Sequence, residues 1–99
     1  MNAQQFLAAV ASVGAMALPA SDASVFDCHG AGWCGRRYPF LLDGVRYELR
    51  DGTVFAGSKA YLSFSPKTRP YFAVVRDDAS ATWLSWKPAE FLNEQAAKL

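Results

Sequence analysis

Val45-Arg46-Tyr47-Glu48-Leu49-Arg50 alternates apolar and polar positions without a break. Val45, Tyr47 and Leu49 share one face; Arg46, Glu48 and Arg50 share the other. An Asp-Gly pair stands at each end, Asp43-Gly44 and Asp51-Gly52. A type I′ turn needs positive φ at both central residues, and Asp-Gly is among the pairs that supply it. The pattern predicts a three-stranded meander made of Tyr38–Leu42, Val45–Arg50 and Thr53–Ala56. Replacing Gly44 or Gly52 with Val is then expected to cost about 1 kcal/mol or more.

The pattern continues past the meander. Gly57-Ser58-Lys59 reads as a turn, Ala60–Phe64 as a strand, and Ser65–Pro70 as a loop bracketed by prolines. Tyr71–Arg76 is apolar on both faces, which predicts a central strand. Asp77–Ser80 turns the chain and Ala81–Trp86 pairs back, with Trp83 and Trp86 on opposite faces. Pro88 suits a first helical position, and Ala89–Lys98 follows as a short helix with Glu94 and Lys98 one turn apart. No βαβ unit, internal repeat or low-complexity tract is visible. The expectation is a single α+β domain over 1–99: an N-terminal helix, an antiparallel sheet of about five strands over 38–86, and a C-terminal helix over 88–98. An SH3-like barrel is the alternative closure of the same strands.

The first twenty residues carry two readings. Phe6, Val10, Val13 and Ala17 form one stripe of a helix that Pro19 ends, with Leu7, Gly14 and Leu18 beside it. The same run has the length of a secretory apolar core, and Ser21-Asp22-Ala23 offers small residues for cleavage. Met1–Gln5 lacks the Lys or Arg that a leader carries, so a packed helix is favoured, and with it a cytoplasmic location. A leader over 1–20 or 1–23 would place the chain in the periplasm or outside the cell. The run is too short to span a bilayer.

Composition adds a core and an uneven charge. Three Trp, four Tyr and seven Phe in 99 residues supply enough bulk for one folded domain. Net charge is only +1, but Arg36 to Arg76 holds eight basic against three acidic side chains, and the stretch from Asp77 holds two against four. The middle is basic and its flanks are not, which biases a partner toward acidity or phosphate.

Both cysteines and the single histidine fall within Asp27–Arg37. Cys28, His29 and Cys34 lack the second, distant ligand pair of a structural zinc site. Trp33-Cys34-Gly35 resembles the opening of a thioredoxin-type site over three residues, but position 37, where a resolving Cys would stand, is Arg37. A Cys28–Cys34 disulfide is geometrically reasonable and depends on compartment. A Cys34 nucleophile with His29 as base and Arg36 and Arg37 as thiolate partners is the sharpest catalytic reading. No nucleophile elbow, P-loop or dinucleotide motif accompanies it. The expectation is a non-enzyme without cofactor or metal.

What remains is contact chemistry. Trp33 in a Gly-rich loop, Arg36, Arg37, Arg46, Arg50, Lys67, Arg69 and Trp86 are the candidate binding residues, because Arg and aromatic side chains are what interface hot spots use. The expected function is a small protein-interaction module that occludes a larger protein partner. Small Ala-rich single-domain proteins of this type are common among phage and mobile-element accessory factors, including inhibitors, although no motif here identifies such a family. The alternatives are a nucleic-acid-binding β-barrel whose basic face interleaves the same arginines and lysine with Tyr38, Tyr61 and Tyr71 as aromatic platforms, and an exported domain closed by Cys28–Cys34. Partner identity and oligomeric state are not encoded in any motif.

Overall fold

The computed structural model describes residues 1–26, 32–55, 69–76, 83–85 and 88–97. The order is α1 (Ala3–Ser12), β1 (Met16–Ala17), β2 (Ser21–Phe26), β3 (Gly32–Leu42), β4 (Val45–Phe55), β5 (Arg69–Arg76), β6 (Trp83–Ser85) and α2 (Pro88–Ala97). All pairings are antiparallel. Six strand segments fill five positions, because β1 and β2 lie end to end along the same edge of β3. The order across the sheet is β1/β2, β3, β4, β5, β6, and the sheet is not closed into a barrel. The α+β architecture therefore holds in its open form, and the SH3-like alternative does not.

Helix α1 starts at a capping box. The Gln5 backbone N–H donates to Asn2 Oδ1 at 2.9 Å, and the Asn2 N–H donates to Gln5 Oε1 at 2.8 Å. It ends much earlier than Pro19. Gly14 adopts φ +101°, its N–H bonds the Ala11 carbonyl, and the Ala15 N–H bonds the Val10 carbonyl. This pair of hydrogen bonds across a left-handed glycine is a Schellman stop. The expectation of a helix over 1–20 is corrected accordingly: residues beyond 14 reverse direction and become edge strands β1 and β2. The sheet begins well before Tyr38 for the same reason.

The first Asp-Gly turn forms as expected. Asp43 has φ +53° and Gly44 φ +75°, joining Leu42 to Val45 through two residues. A Gly44→Val variant should lose about 1 kcal/mol or more in urea denaturation, since Val resists positive φ. The second Asp-Gly is not a turn. Asp51 and Gly52 continue β4 as one strand through Phe55, paired with β3 on one side and β5 on the other. The predicted break of the meander at 51–52 is thus corrected. Gly52 stands directly opposite Gly35. A Cβ on Gly35 would run into the Asp51 carbonyl oxygen and come within 2.6 Å of Gly52 Cα; one on Gly52 would meet the Cys34 carbonyl oxygen and lie 2.7 Å from Gly35 Cα. Glycine is required here by close approach of two backbones.

The main core lies on the helix-bearing face of the sheet. Phe6 and Val10 of α1, Phe40 and Leu42 of β3, Leu49 of β4, Val74 of β5 and Phe91 of α2 are all buried in it. Among the described residues Phe6 touches three other rings, Phe40 at 5.8 Å, Phe91 at 6.0 Å and Phe72 at 6.1 Å between centroids. Strand β5 is buried on both faces, as its composition predicts, and α2 runs over the expected span. The predicted strand over 60–64 lies outside the described residues.

Candidate functional site

Alternation along β3, β4 and β5 sorts the remaining side chains into rows on the second face. One row runs Ala23, Gly35, Gly52, Tyr71 across four strands. The next row runs Ser21, Arg37, Arg50, Ala73; beyond it lie Pro39, Glu48 and Val75, then Met16, Leu41 and Arg46. With no side chain on Gly35 or Gly52, the floor between β3 and β5 is low. Trp33 and Tyr71, two strands apart, meet edge to face above it with centroids 5.6 Å apart. They form a second small core with Ala73, Ala23 and Val54.

Charged groups adjoin these rings. The Arg50 guanidinium carbon sits 4.8 Å from the Trp33 ring centroid, within cation–π range. Arg50 Nε donates to Glu48 Oε1 at 2.8 Å, where the Glu48 side chain is only 8 % exposed and that of Arg50 22 %. Glu48 breaks the basic run in the sequence; in the fold it compensates Arg50. Burial drives the Tyr71 hydroxyl pKa far above the usual phenol range, while the Arg50 charge pulls the other way. The hydroxyl is therefore protonated at any physiological pH.

The candidate residues fall in different places. Trp33 is in strand β3, not in a loop, and is 4 % exposed, so its ring supports Arg50 from below instead of facing solvent. Arg37, Arg46 and Arg50 share the second face, with Arg46 exposed and the other two half-buried. Arg36 is exposed on the opposite face, directly between Asp22 of β2 and Asp51 of β4. The backbone of Arg69 opens β5 opposite Val54. Lys67, Trp86 and Cys28 lie outside the described residues, so the Cys28–Cys34 pair does too. Cys34 is a half-buried free thiol.

Tyr71, Glu48 and Met16 complete this face, and of these only Met16 was given no place in it by the sequence. Met16 is 61 % exposed on the edge strand beside Leu41. Register was the missing signal: once Gly52 is in a strand, Tyr71 must lie over it. Among the described residues no three His, Cys, Asp or Glu side chains gather as a metal site, and no helix is long and apolar enough to cross a membrane. Comparison with known protein families, curated proteins and solved structures finds no match to this chain.

Proposed function

We propose that the chain is a small non-enzymatic protein-interaction module that occludes a surface of a larger protein partner. The observation that carries this reading is the interleaving of its charges. Arg36 stands between Asp22 and Asp51, and Arg50 is held by Glu48. Two members of the basic excess seen along the sequence thereby stand beside carboxylates. A phosphate backbone favours an uninterrupted positive track. Arginines beside an exposed Met16 and a half-buried Leu41 suit a protein surface better, since interfaces enrich Arg, Met and aromatic residues.

The test is site-specific photocrosslinking of the full chain in native host lysate, with and without nuclease. The crosslinker is placed at Ser21 and at Arg46 on the second face, and at Gln4 on the solvent side of α1. The expected result is one discrete, nuclease-resistant protein adduct from Ser21 and Arg46 and none from Gln4. Adducts that vanish with nuclease would transfer the face to nucleic acid. Equal labelling from all three positions would also overturn the reading.

A further inference from the structure

The same dipeptide, Asp-Gly, stands in two opposite settings. Asp43-Gly44 forms the two-residue turn beyond Leu42 and Val45, the last pair of the β3–β4 ladder. Both residues are exposed, and Asp43 is the one non-glycine residue with positive φ among the described residues. Nothing lies within 4 Å of where a Gly44 Cβ would stand, so the tip is open there. Asp51-Gly52 instead lies inside β4, opposite Arg36 and Gly35 of β3 and opposite Phe72 and Tyr71 of β5. In a strand paired on both sides, each backbone N–H is committed to one neighbour or the other. Gly52 is also crowded by the Cys34 carbonyl and the Gly35 Cα. An aspartyl side chain can close on the backbone nitrogen of a following glycine, because no Cβ obstructs the attack. Closure requires the aspartyl ψ to rotate and the glycyl N–H to be released. The turn permits both, and the sheet opposes both.

We propose that Asp43 is a modification site, where the main chain isomerises spontaneously from aspartate through a cyclic imide to isoaspartate, and that the sheet holds Asp51 out of the same reaction. The Gly44 nitrogen attacks Cγ of the neutral Asp43 carboxyl. The N–Cγ bond forms, the nitrogen gives up its proton, and the carboxyl hydroxyl departs with it as water. A second water opens the ring at either carbonyl, which returns aspartate or gives isoaspartate. No oxidant, reductant or other reactant is needed. In isoaspartate the main chain runs through Cβ and Cγ, so the turn gains one methylene and the α-carboxylate becomes a side group at the tip. A two-residue turn cannot keep its geometry with a longer backbone. The Leu42–Val45 pair loosens first, and Leu42 is a member of the main core. The hairpin thus ages from its exposed end.

The test holds the full chain in oxygen-18 water at mildly acidic pH, folded in one sample and unfolded by guanidinium chloride in the other. Trypsin in ordinary water then releases Tyr38–Arg46, which contains Asp43, and Asp51–Lys59, which contains Asp51. Each peptide is separated into its aspartyl and isoaspartyl forms, and mass spectrometry reads the oxygen-18 left by ring opening. In the folded chain the Asp43 peptide should convert roughly tenfold or more faster than the Asp51 peptide, because one site is free to open and the other needs local unfolding of the sheet. In the unfolded chain the two should convert at comparable rates. Asp43→Asn and Asp51→Asn speed the chemistry, since ammonia replaces water as the leaving group, and they decide the matter if the aspartates convert too slowly to measure. Asn also tolerates the left-handed turn position. Folded Asp43→Asn should lose its side-chain amide while folded Asp51→Asn keeps it. Equal conversion of the two sites in the folded chain would overturn the proposal. So would a folded Asp43→Asn that keeps its amide under conditions where the unfolded variant loses it.

Discussion

Gly52→Val is expected to lower the unfolding free energy by about 3 kcal/mol or more, read as a shift of the urea midpoint. Turn strain plays no part. The side chain would be driven into the Cys34 carbonyl oxygen and toward Gly35 Cα within the long β3–β4 pair. Neither obstacle is a flexible side chain, so the two strands themselves must separate. Separation breaks ladder hydrogen bonds and lifts Tyr71 off the low floor that lets it reach Trp33. Gly35→Val meets the mirror-image obstacles, the Asp51 carbonyl oxygen and Gly52 Cα, and should cost a similar amount. Once one substitution has parted the strands, the second has room. Gly35→Ala and Gly52→Ala combined should therefore cost clearly less than the sum of the two alone, which a double-mutant cycle measures. A Gly52→Val midpoint unchanged from wild type would rule out the close approach.

Phe6→Ala should cost about 3–5 kcal/mol, the range for emptying a buried Phe site. Phe6 has no exposed surface, and its ring touches rings from β3, β5 and α2. The remaining neighbours sit on a sheet and a separately anchored helix, so the gap cannot collapse easily. Near-UV circular dichroism should weaken along with stability, because the removed ring holds the others at fixed tilts. Phe6→Leu keeps most of the volume and should lose under about 2 kcal/mol. If both variants behaved alike, α1 would be a peripheral helix and not part of the core.

Local signals were legible where local physics decides. Asp43-Gly44 reads correctly because a two-residue turn needs nothing beyond its own φ values. Asp51-Gly52 presents the same letters and forms a strand. What decides there is Gly35, a residue on another strand, which no local pattern exposes. The end of α1 was misplaced because Pro19 is the louder stop, whereas Gly14 had already reversed the chain. Strands β1 and β2 were missed because Met16–Ala17 and Ser21–Phe26 show no clean alternation; they are strands because β3 offers them an edge. The site follows the same division. That Arg46, Glu48 and Arg50 share a face is legible from the period of two. That Arg37 faces Arg50, and that Trp33 lies beneath a guanidinium, follows only from register.

The contact between Phe6 and Phe91 joins the first helix to the last across nearly the whole chain. The β3–β4 hairpin, by contrast, closes through two residues and can zip early. Much of the apolar surface that the hairpin gathers, Phe40 and Leu49 included, must then wait for elements from both ends before it is covered. Contacts of such long sequence separation slow folding and lengthen the time that sticky intermediates persist. During synthesis α1 emerges first yet has its final partner made last, so the nascent chain carries an unsealed hydrophobic face until α2 appears. Chaperone engagement during translation is the cellular corollary of a core stitched from its two ends.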